Sequence, residues 1–324
     1  MTLPAPDALP APLTAVQFQT LADVPPEIAC FANLTNPNTR HAYRQDMRGF
    51  QAFTGLRRPE EFRDVTRAHV IVWREDLTRQ QRANDTIRRK LVARSSLYAS
   101  LCERHAVLHD PVLGVKGPRS MNREGVTPAI GAHQARKLLD APPERTLTGQ
   151  RDRAILATLL YHAIRREELC TRKVGDVQQR QGVPYLRVDG KGDTVRSIEA
   201  ATEALRLIAT SLKTAGHAQD LDGPLFRPVK NTATTTLAKP LHPASVYRDV
   251  VRHDARAAGL LDAVPGLCAH ALRATAATTA LAHKADLATA QVWLGHADIA
   301  TTRVYDKRQA RPEDSPTCKV WYDA

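Results

Sequence analysis

The stretch VWLGHADIATTRVYDK, residues 292–307, carries the most specific pattern in this chain. Gly295 suits the left-handed residue that ends a helix, and His296 would then project from the turn that follows. Asp298 can cap the next helix through a side-chain oxygen. That helix would carry a Thr-Thr pair and then Tyr305. The pattern predicts a helix, a tight turn that presents His296, and a second helix that presents Tyr305.

An arginine segment lies earlier, in YHAIRREELCTRKVGDV, residues 161–177. Arg165 stands three residues before Glu168, and Arg166 is an alternative to Arg165 in a shifted register. Surface charge is the ordinary explanation for either arginine. The segment therefore acquires meaning only when it is read together with the rest of the chain.

Two further segments complete the set. GKGDTVR, residues 190–196, places Lys191 between two glycines, in the connection of a predicted β-hairpin. CAHALRATAATTAL, residues 268–281, places His270 and Arg273 three residues apart, which puts both side chains on one face of a helix. Each of these patterns occurs by chance in many proteins, and their order along one chain is what carries information.

In that order, the four segments resemble the conserved boxes of tyrosine recombinases, the phage integrase family. Residues 292–307 are similar to that family's Leu-Gly-His box with its downstream tyrosine. The arginine segment departs most, because His162-Ala163-Ile164 stands where the family usually has Thr-Gly-Leu. The resemblance implies a catalytic set made of Arg165, Lys191, His270, Arg273, His296 and Tyr305.

The resemblance also implies a role for each member of this set. Tyr305 would be the nucleophile, Lys191 the acid that protonates the leaving 5′-oxygen, and His270 the acid/base group. Two arginines would hold the non-bridging phosphate oxygens, because guanidinium groups are permanently charged and bidentate. His296 would donate a further hydrogen bond. A phenol is a weak acid and needs a proton acceptor or a strongly cationic site. A covalent phosphotyrosine keeps the bond energy, so rejoining needs no ATP. The scheme implied by the resemblance also requires no metal or other cofactor.

Composition agrees with a nucleic-acid partner. The 324 residues carry a formal net charge of +12 and a pI of about 9.8, which favours a polyanion such as DNA. Charge alone would also suit an anionic membrane surface. No stretch approaches the roughly 18 apolar residues of a membrane span. The five cysteines are scattered, as reduced thiols are. With no signal peptide in view, we expect a soluble cytoplasmic protein that associates with the nucleoid.

The expected fold is mainly α with a small β-hairpin or sheet. The resemblance implies a two-domain C-shaped DNA clamp, in which a helical core-binding domain faces a mixed α+β catalytic domain. The predicted division is an N-terminal lead at 1–30, the core-binding domain at 31–113, a basic linker at 114–128, the catalytic domain at 129–310 and a tail at 311–324.

In the first domain, apolar periodicity predicts three helices, which begin near Asn38, Thr66 and Asn84. On the third helix, Arg88 and Arg89 lie off the apolar stripe. They are candidate DNA contacts, together with Arg119 in the linker, although a solvated helix face is the plainer interpretation. Arg94 falls inside the stripe, and the sequence does not explain why. In the second domain we expect helices over 132–139 and 151–168 and strands over 183–188 and 194–198.

The resemblance further implies double-stranded DNA with inverted-repeat sites as the partner, and a homotetramer that holds two duplexes. The same chain would be monomeric or weakly associated when free of DNA. The apolar cluster Val320, Trp321 and Tyr322 could dock on a neighbouring protomer, or pack against its own domain. Two other functions remain open: relaxation of supercoils by a type IB topoisomerase, and DNA binding by a non-catalytic protein that keeps the fold.

Overall fold

The computed structural model of the chain describes residues 37–119, 127–190, 194–229 and 236–306. The described residues fall into two compact units, one within 37–119 and one within 127–306, and each unit has its own apolar core. In these described parts, no helix is both long and apolar enough to cross a membrane. The predicted N-terminal lead and C-terminal tail lie outside them.

Three α-helices make up the described part of the first unit. They are α1 (Pro37–Thr54), α2 (Arg67–Arg79) and α3 (Asn84–Glu103), with a 3-10 turn over Pro59–Asp64 between the first two. The three helices predicted from periodicity are confirmed. Gly55 follows α1 with φ 79°, a left-handed conformation that ends the helix.

Arg94 lies in the core of this unit and is fully buried. Its guanidinium carbon is 3.7 Å from the centroid of the Trp73 ring and 4.8 Å from that of Phe50, both within cation–π range. Its terminal nitrogens donate to the backbone carbonyls of Lys90 and Asp46. Burial lowers the pKa of Arg94 to about 9, so it stays charged at neutral pH. These aromatic and carbonyl partners explain why an arginine occupies the apolar stripe.

The second unit is a helical assembly with one small sheet. Its helices are α4 (Ala132–Asp140), α5 (Leu147–His162), α6 (Arg166–Cys170), α7 (Thr202–Ala215), α8 (Pro243–Ser245), a π-helical segment (Val246–Val251), α9 (Arg252–Ala257), α10 (Ala269–Ala282), α11 (Leu287–Leu294) and α12 (Ile299–Arg303). Helix α5 is central, because it packs against α4, α7 and α10. Its side chains are buried along most of its length, as expected of a helix surrounded by others.

The single helix predicted over 151–168 is wrong. Helix α5 ends at His162, and Ala163 adopts a left-handed conformation with φ 49°. Arg165 is extended and begins α6, where its backbone N–H donates to the Glu168 side chain at 2.7 Å. Apolar residues continue across this break, so periodicity alone could not reveal it. The capping interaction and the tertiary contacts of Ala163 override the helical pattern.

The sheet has three antiparallel strands in the order β1 (Val177–Arg180), β2 (Val183–Asp189) and β3 (Val195–Glu199). Leu186 on β2 pairs with Ile198 on β3, and both side chains are buried against the helical core. The predicted β2–β3 hairpin is confirmed. Strand β1 was not predicted, because Val-Gln-Gln-Arg shows no apolar alternation.

Candidate active site

The turn after α11 has the geometry that the sequence predicted. Gly295 adopts φ 64°, and its N–H donates to the carbonyl of Val292 at 3.0 Å. Asp298 caps α12 by accepting a hydrogen bond from the backbone N–H of Ala300 at 2.9 Å. A side chain at Gly295 would also collide with Arg196, since a Cβ there would lie 2.9 Å from the guanidinium. The left-handed conformation therefore favours glycine at this position, and any other residue would also displace the Arg196 guanidinium.

Tyr305 follows α12 and has a largely buried side chain. Its hydroxyl oxygen lies 3.4 Å from Nε2 of His270. Its ring stacks on that of His296, with 6.1 Å between centroids and 22° between planes. Partial burial, then the positive charges of Arg273 and Arg165, lower the pKa of His270. The His270 ring is therefore neutral at pH 7 and can accept a proton from the tyrosine hydroxyl.

Arg273 lies on α10, three residues after His270, and is almost fully buried. It donates hydrogen bonds to the backbone carbonyls of Ala163 and Leu294 and to Nε2 of His296, the last two at 2.6 and 2.9 Å. Burial lowers the pKa of Arg273 to about 10, which still leaves it charged at neutral pH. One guanidinium thus joins the break after α5, the end of α11 and the ring of His296.

Both ring nitrogens of His296 are engaged. Because an arginine can only donate, Nε2 of His296 must accept from Arg273, so the proton sits on Nδ1. Nδ1 then donates to Oγ1 of Thr302 at 2.9 Å. Burial, followed by the nearby cations, lowers the pKa of His296 to about 4. In this arrangement His296 has no N–H for a phosphate, so the donor role expected from the resemblance requires that Nε2 gain a proton or that Arg273 move.

Arg165 is the most exposed of the site's guanidiniums, with 38% of its side chain accessible. It donates to Oε1 of Glu168 at 2.7 Å and to the backbone carbonyl of Gly295 at 3.1 Å. The rival residue, Arg166, is instead paired with Glu167 at 2.8 Å. The geometry favours the register in which Arg165 faces the His296 turn.

Glu168 is buried and receives a second arginine, Arg196 of β3, on both carboxylate oxygens at 3.1 and 2.7 Å. Burial alone would raise the pKa of Glu168, but hydrogen bonds from Arg196 and Arg165 lower it to about 2. Neither Arg196 nor Thr302 was among the predicted site residues. Arg196 stood inside the GKGDTVR segment, but no local pattern marked it.

The structure brings together five of the six predicted catalytic residues, and Lys191 lies outside the described residues. A cleft of about 360 Å³ opens beside them, lined by Arg165, His270 and Arg273, with Tyr247 of the π-helical segment and Cys268. A cleft with cationic walls suits a phosphodiester. The Tyr305 hydroxyl lies 3.4 Å from Nε2 of His270, one of the residues that line it.

The three predicted DNA contacts belong to the first unit. Arg88 is exposed on α3, and Arg119 is exposed near the end of the described stretch, where its carbonyl accepts from Asn84 at 2.9 Å. Arg89 is half exposed and paired with the buried carboxylate of Asp46. Part of the Arg89 guanidinium is therefore already committed within the protein.

Comparisons with known proteins match both units. The model described as "Phage integrase family" matches residues 129–311, and that described as "Phage integrase, N-terminal SAM-like domain" matches residues 34–105. Tyrosine recombinase XerD of Pseudomonas putida is 31% identical over 271 residues, which cover 83% of this chain and 86% of the relative. Tyrosine recombinase XerC of Pelobacter propionicus is 32% identical over 273 residues, with 83% and 84% covered.

Solved structures share the fold at lower identity. A lambda integrase (75–356) dimer bound to a COC′ core site matches with a TM-score of 0.65 and 17% identity, covering 89% of this chain and 96% of that one. The XerH site-specific recombinase in its post-cleavage complex with a palindromic difH substrate matches with a TM-score of 0.64 and 17% identity, covering 82% and 75%.

Proposed function

Because this chain belongs to the phage integrase family and is a site-specific tyrosine recombinase, we propose that Tyr305 is the residue that cuts and rejoins the DNA. The observation that carries this proposal is the 3.4 Å contact between the Tyr305 hydroxyl and Nε2 of His270, beside the cleft lined by Arg165 and Arg273. A nucleophile, a neutral base and two phosphate-binding cations then lie within one site.

The proposed chemical step is an in-line exchange at phosphorus. The Tyr305 oxygen forms a bond to the phosphorus while the bond from phosphorus to the 5′-oxygen breaks. His270 accepts the proton of the phenol, and the leaving 5′-oxygen takes up a proton, for which Lys191 is the proposed donor. The product is a 3′-phosphotyrosine. Attack by the 5′-hydroxyl of another strand reverses the step and frees Tyr305, so neither ATP nor a metal is consumed.

The arginines stabilise the charge that develops on the non-bridging oxygens. Loss of one such preorganised donor typically costs about 3–4 kcal/mol of transition-state stabilisation. Arg165 reaches the cleft from the start of α6, and Arg273 is fixed from behind by backbone carbonyls. A phosphate placed between them would raise the pKa of His296, because an adjacent anion favours the imidazolium. We infer that His296 gains its second proton at that stage and then donates to the phosphate.

We propose that the DNA partner is a duplex with inverted-repeat sites, held by a homotetramer. Two solved relatives motivate this: the XerH complex contains a palindromic substrate, and a lambda integrase tetramer was solved on a Holliday junction. Exposed Arg88 and Arg119, with part of Arg89, are the proposed DNA contacts of the core-binding domain and the linker that follows it. The C-shaped clamp, the domain division drawn from the sequence and a cytoplasmic, nucleoid-associated location belong to the same proposal.

Capture of the substrate tests this proposal directly. Wild-type protein is incubated with nicked duplexes cut from the DNA of its source organism, and covalent protein–DNA adducts are isolated and sequenced. The captured fragments should share two inverted elements around the cut. Two captured sites on one plasmid should then yield recombinant junctions. Relaxation of the plasmid without junctions would instead indicate a type IB topoisomerase, and adducts on unrelated sequences would contradict the inverted-repeat proposal.

A further inference from the structure

We propose that Arg196 is a positioning residue of the recombination site, which acts through Glu168 to leave the charge of Arg165 available for the DNA phosphate. This inference rests on the proposed role of Arg165 in phosphate binding. It assigns a function to a residue of β3 that lies next to the proposed phosphate-binding site but outside the predicted catalytic set.

The contact between Arg196 and Glu168 is bidentate. The two terminal nitrogens of Arg196 lie 3.1 and 2.7 Å from the two carboxylate oxygens. Only 13% of the Arg196 side chain and 8% of the Glu168 side chain are exposed, so solvent screens this pair weakly. Planar, two-point pairing fixes orientation as well as distance.

Arg165 uses the same carboxylate. Its backbone N–H reaches Oε2 of Glu168, and a terminal nitrogen of its side chain reaches Oε1, both at 2.7 Å. Four donors therefore converge on two oxygens. A second terminal nitrogen of Arg165 donates to the carbonyl of Gly295, which places this guanidinium between the carboxylate and the His296 turn.

The balance of charge among Glu168, Arg196 and Arg165 determines how much positive charge faces the cleft. Glu168 carries one negative charge, and Arg196, which is more buried than Arg165, already neutralises it. Arg165 is thus held by hydrogen bonds without losing its net charge to the carboxylate. Without Arg196, the Arg165 guanidinium would have to supply both hydrogen bonds and countercharge to a buried carboxylate, and it would turn away from the cleft.

Arg196 is poorly placed to contact DNA itself. Its terminal nitrogens face Glu168, and its side chain lies against the backbone of Gly295, where a Cβ would meet it at 2.9 Å. Its effect on the reaction should therefore appear in the rate of the chemical step and not in DNA affinity.

The test compares Arg196→Gln with Arg180→Gln, which removes one exposed arginine from β1 of the same sheet. Single-turnover adduct formation and Kd are measured on a nicked duplex captured by the wild type. Arg196→Gln should slow adduct formation about 100-fold, the cost of roughly 1 Å of misplacement. Its Kd should match that of Arg180→Gln. Arg196→Lys should restore only part of the rate, because an ammonium cannot replace a bidentate fork.

A double-mutant cycle with Glu168→Gln tests the route of the effect. If Arg196 acts through Glu168, Arg196→Gln should cost little more once that carboxylate is neutral. In the single variant the pKa of Glu168 should rise, so the gap between the wild-type and Arg196→Gln rates should narrow as pH falls and this carboxylate becomes neutral. Protonation of His270 slows all variants alike, and it cancels in the ratio of the two rates. Such a profile is not expected from simple loss of folded protein.

Several results would overturn the inference: an unchanged rate in Arg196→Gln, a loss confined to Kd, or fully additive losses in the cycle. If Arg196→Gln does not fold, a wild-type rate in folded Arg196→Lys would overturn it as well. Adduct formation by the wild type is measured before any variant is compared. Its absence would count against the proposed function of the site, not against the role of Arg196.

Discussion

Thr302 holds one side of the His296 ring, and Arg273 holds the other. Thr302 is fully buried, whereas the neighbouring Thr301 is exposed on the same short helix. This pair of threonines therefore separates the role of one hydroxyl from the general properties of α12.

Replacing Thr302 by valine keeps the side-chain shape and removes the acceptor for Nδ1–H of His296. The buried N–H would be left unpaired, at a cost of about 1–3 kcal/mol, and the ring would lose its fixed tautomer. We expect adduct formation to slow by about tenfold or more, which corresponds to roughly 1.4 kcal/mol. Thr301→Val should leave the rate unchanged. Equal rates for the two variants in single-turnover assays would contradict this role.

His162 shows how a buried histidine can serve the fold instead of the chemistry. Its Nδ1 donates to the carbonyl of Thr158 at 3.1 Å, and its Nε2 accepts the N–H of Ala201 at 3.0 Å. It thereby ties the end of α5 to the start of α7. Burial lowers the pKa of His162 to about 4. The unfolded chain, with an ordinary histidine pKa near 6.5, therefore binds the proton first as pH falls, and this histidine's stabilising contribution is lost between those values.

Between pH 7 and pH 5, His162 should cost the folded state about 2 kcal/mol. Asp152 opposes this trend, because burial raises its pKa to about 6 and the folded state gains a proton there. The informative quantity is thus the difference between wild type and His162→Gln in the free energy of unfolding by urea. That difference should shrink as pH falls from 7 to 5. A difference that stays constant would show that His162 does not titrate as proposed.

Some site residues could be predicted from the sequence, and others could not. Tyr305, His296, His270, Arg273 and Arg165 were chosen from the order of their segments, and the fold brings them together. Arg196 could not be chosen, because its partner Glu168 lies 28 positions away and only the fold pairs them. The same holds for the tautomer of His296, which depends on a guanidinium 23 positions away.

Gly149, near the start of α5, has less room for a side chain than any other glycine among the described residues. Thr146 caps this helix by accepting the N–H of Gly149 at 3.0 Å. A Cβ on Gly149 would lie 1.9 Å from the carbonyl oxygen of Pro143. No rotation of a side chain can relieve a collision with backbone, so the helix or the preceding turn would have to shift.

Gly149→Ala should therefore destabilise the second unit by about 1–3 kcal/mol, the usual cost of overpacking. Gly49→Ala is the matched control, since it lies inside α1 and its new methyl would meet nothing closer than the Lys90 ammonium at 3.8 Å. That control should be neutral or stabilising by up to about 1 kcal/mol, because alanine is the better helix former. Thermal and urea unfolding measure both. A neutral Gly149→Ala would contradict the described packing of α5.

Elements with strong apolar periodicity were predicted well, and those defined by tertiary contacts were not. The helices of the first unit and the β2–β3 hairpin follow from local pattern. The break between α5 and α6 depends on left-handed Ala163, whose carbonyl is bound by distant Arg273. Strand β1 is short and polar, and its pairing with β2 defines it more than its composition does.

The net charge of the whole molecule determines how its DNA binding should respond to salt. The excess of +12 predicts DNA binding that weakens steeply with salt. Arg88 lies exposed on α3, and Arg58, also exposed, is paired with Glu61 on the same unit.

If Arg88 neutralises a phosphate, Arg88→Gln should reduce the slope of log K against log salt by about 0.9. Arg58→Gln removes the same charge from a residue already paired within the protein, and it should leave the slope unchanged. Fluorescence anisotropy on a captured duplex over a range of salt concentrations measures both slopes. Equal slopes in wild type and Arg88→Gln would remove Arg88 from the interface.

The mainly α class, the division into two parts and the family follow from the sequence, because each depends on patterns within segments or on the order of segments. The clamp arrangement and the tetramer are different in kind. They depend on contacts between domains and between protomers, which no pattern within one segment encodes.

The proposed mechanism requires Tyr305 to form a covalent bond to DNA. Wild type, Tyr305→Phe and Tyr161→Phe, the last altering an exposed tyrosine of α5, are each incubated with a captured nicked duplex, digested and mapped by mass spectrometry. In wild type and Tyr161→Phe, the peptide that contains Tyr305 should carry a nucleotide joined through its 3′-phosphate. Tyr305→Phe should bind the duplex without forming any adduct. An adduct that persists in Tyr305→Phe, or that maps to another residue in the wild type, would contradict the account.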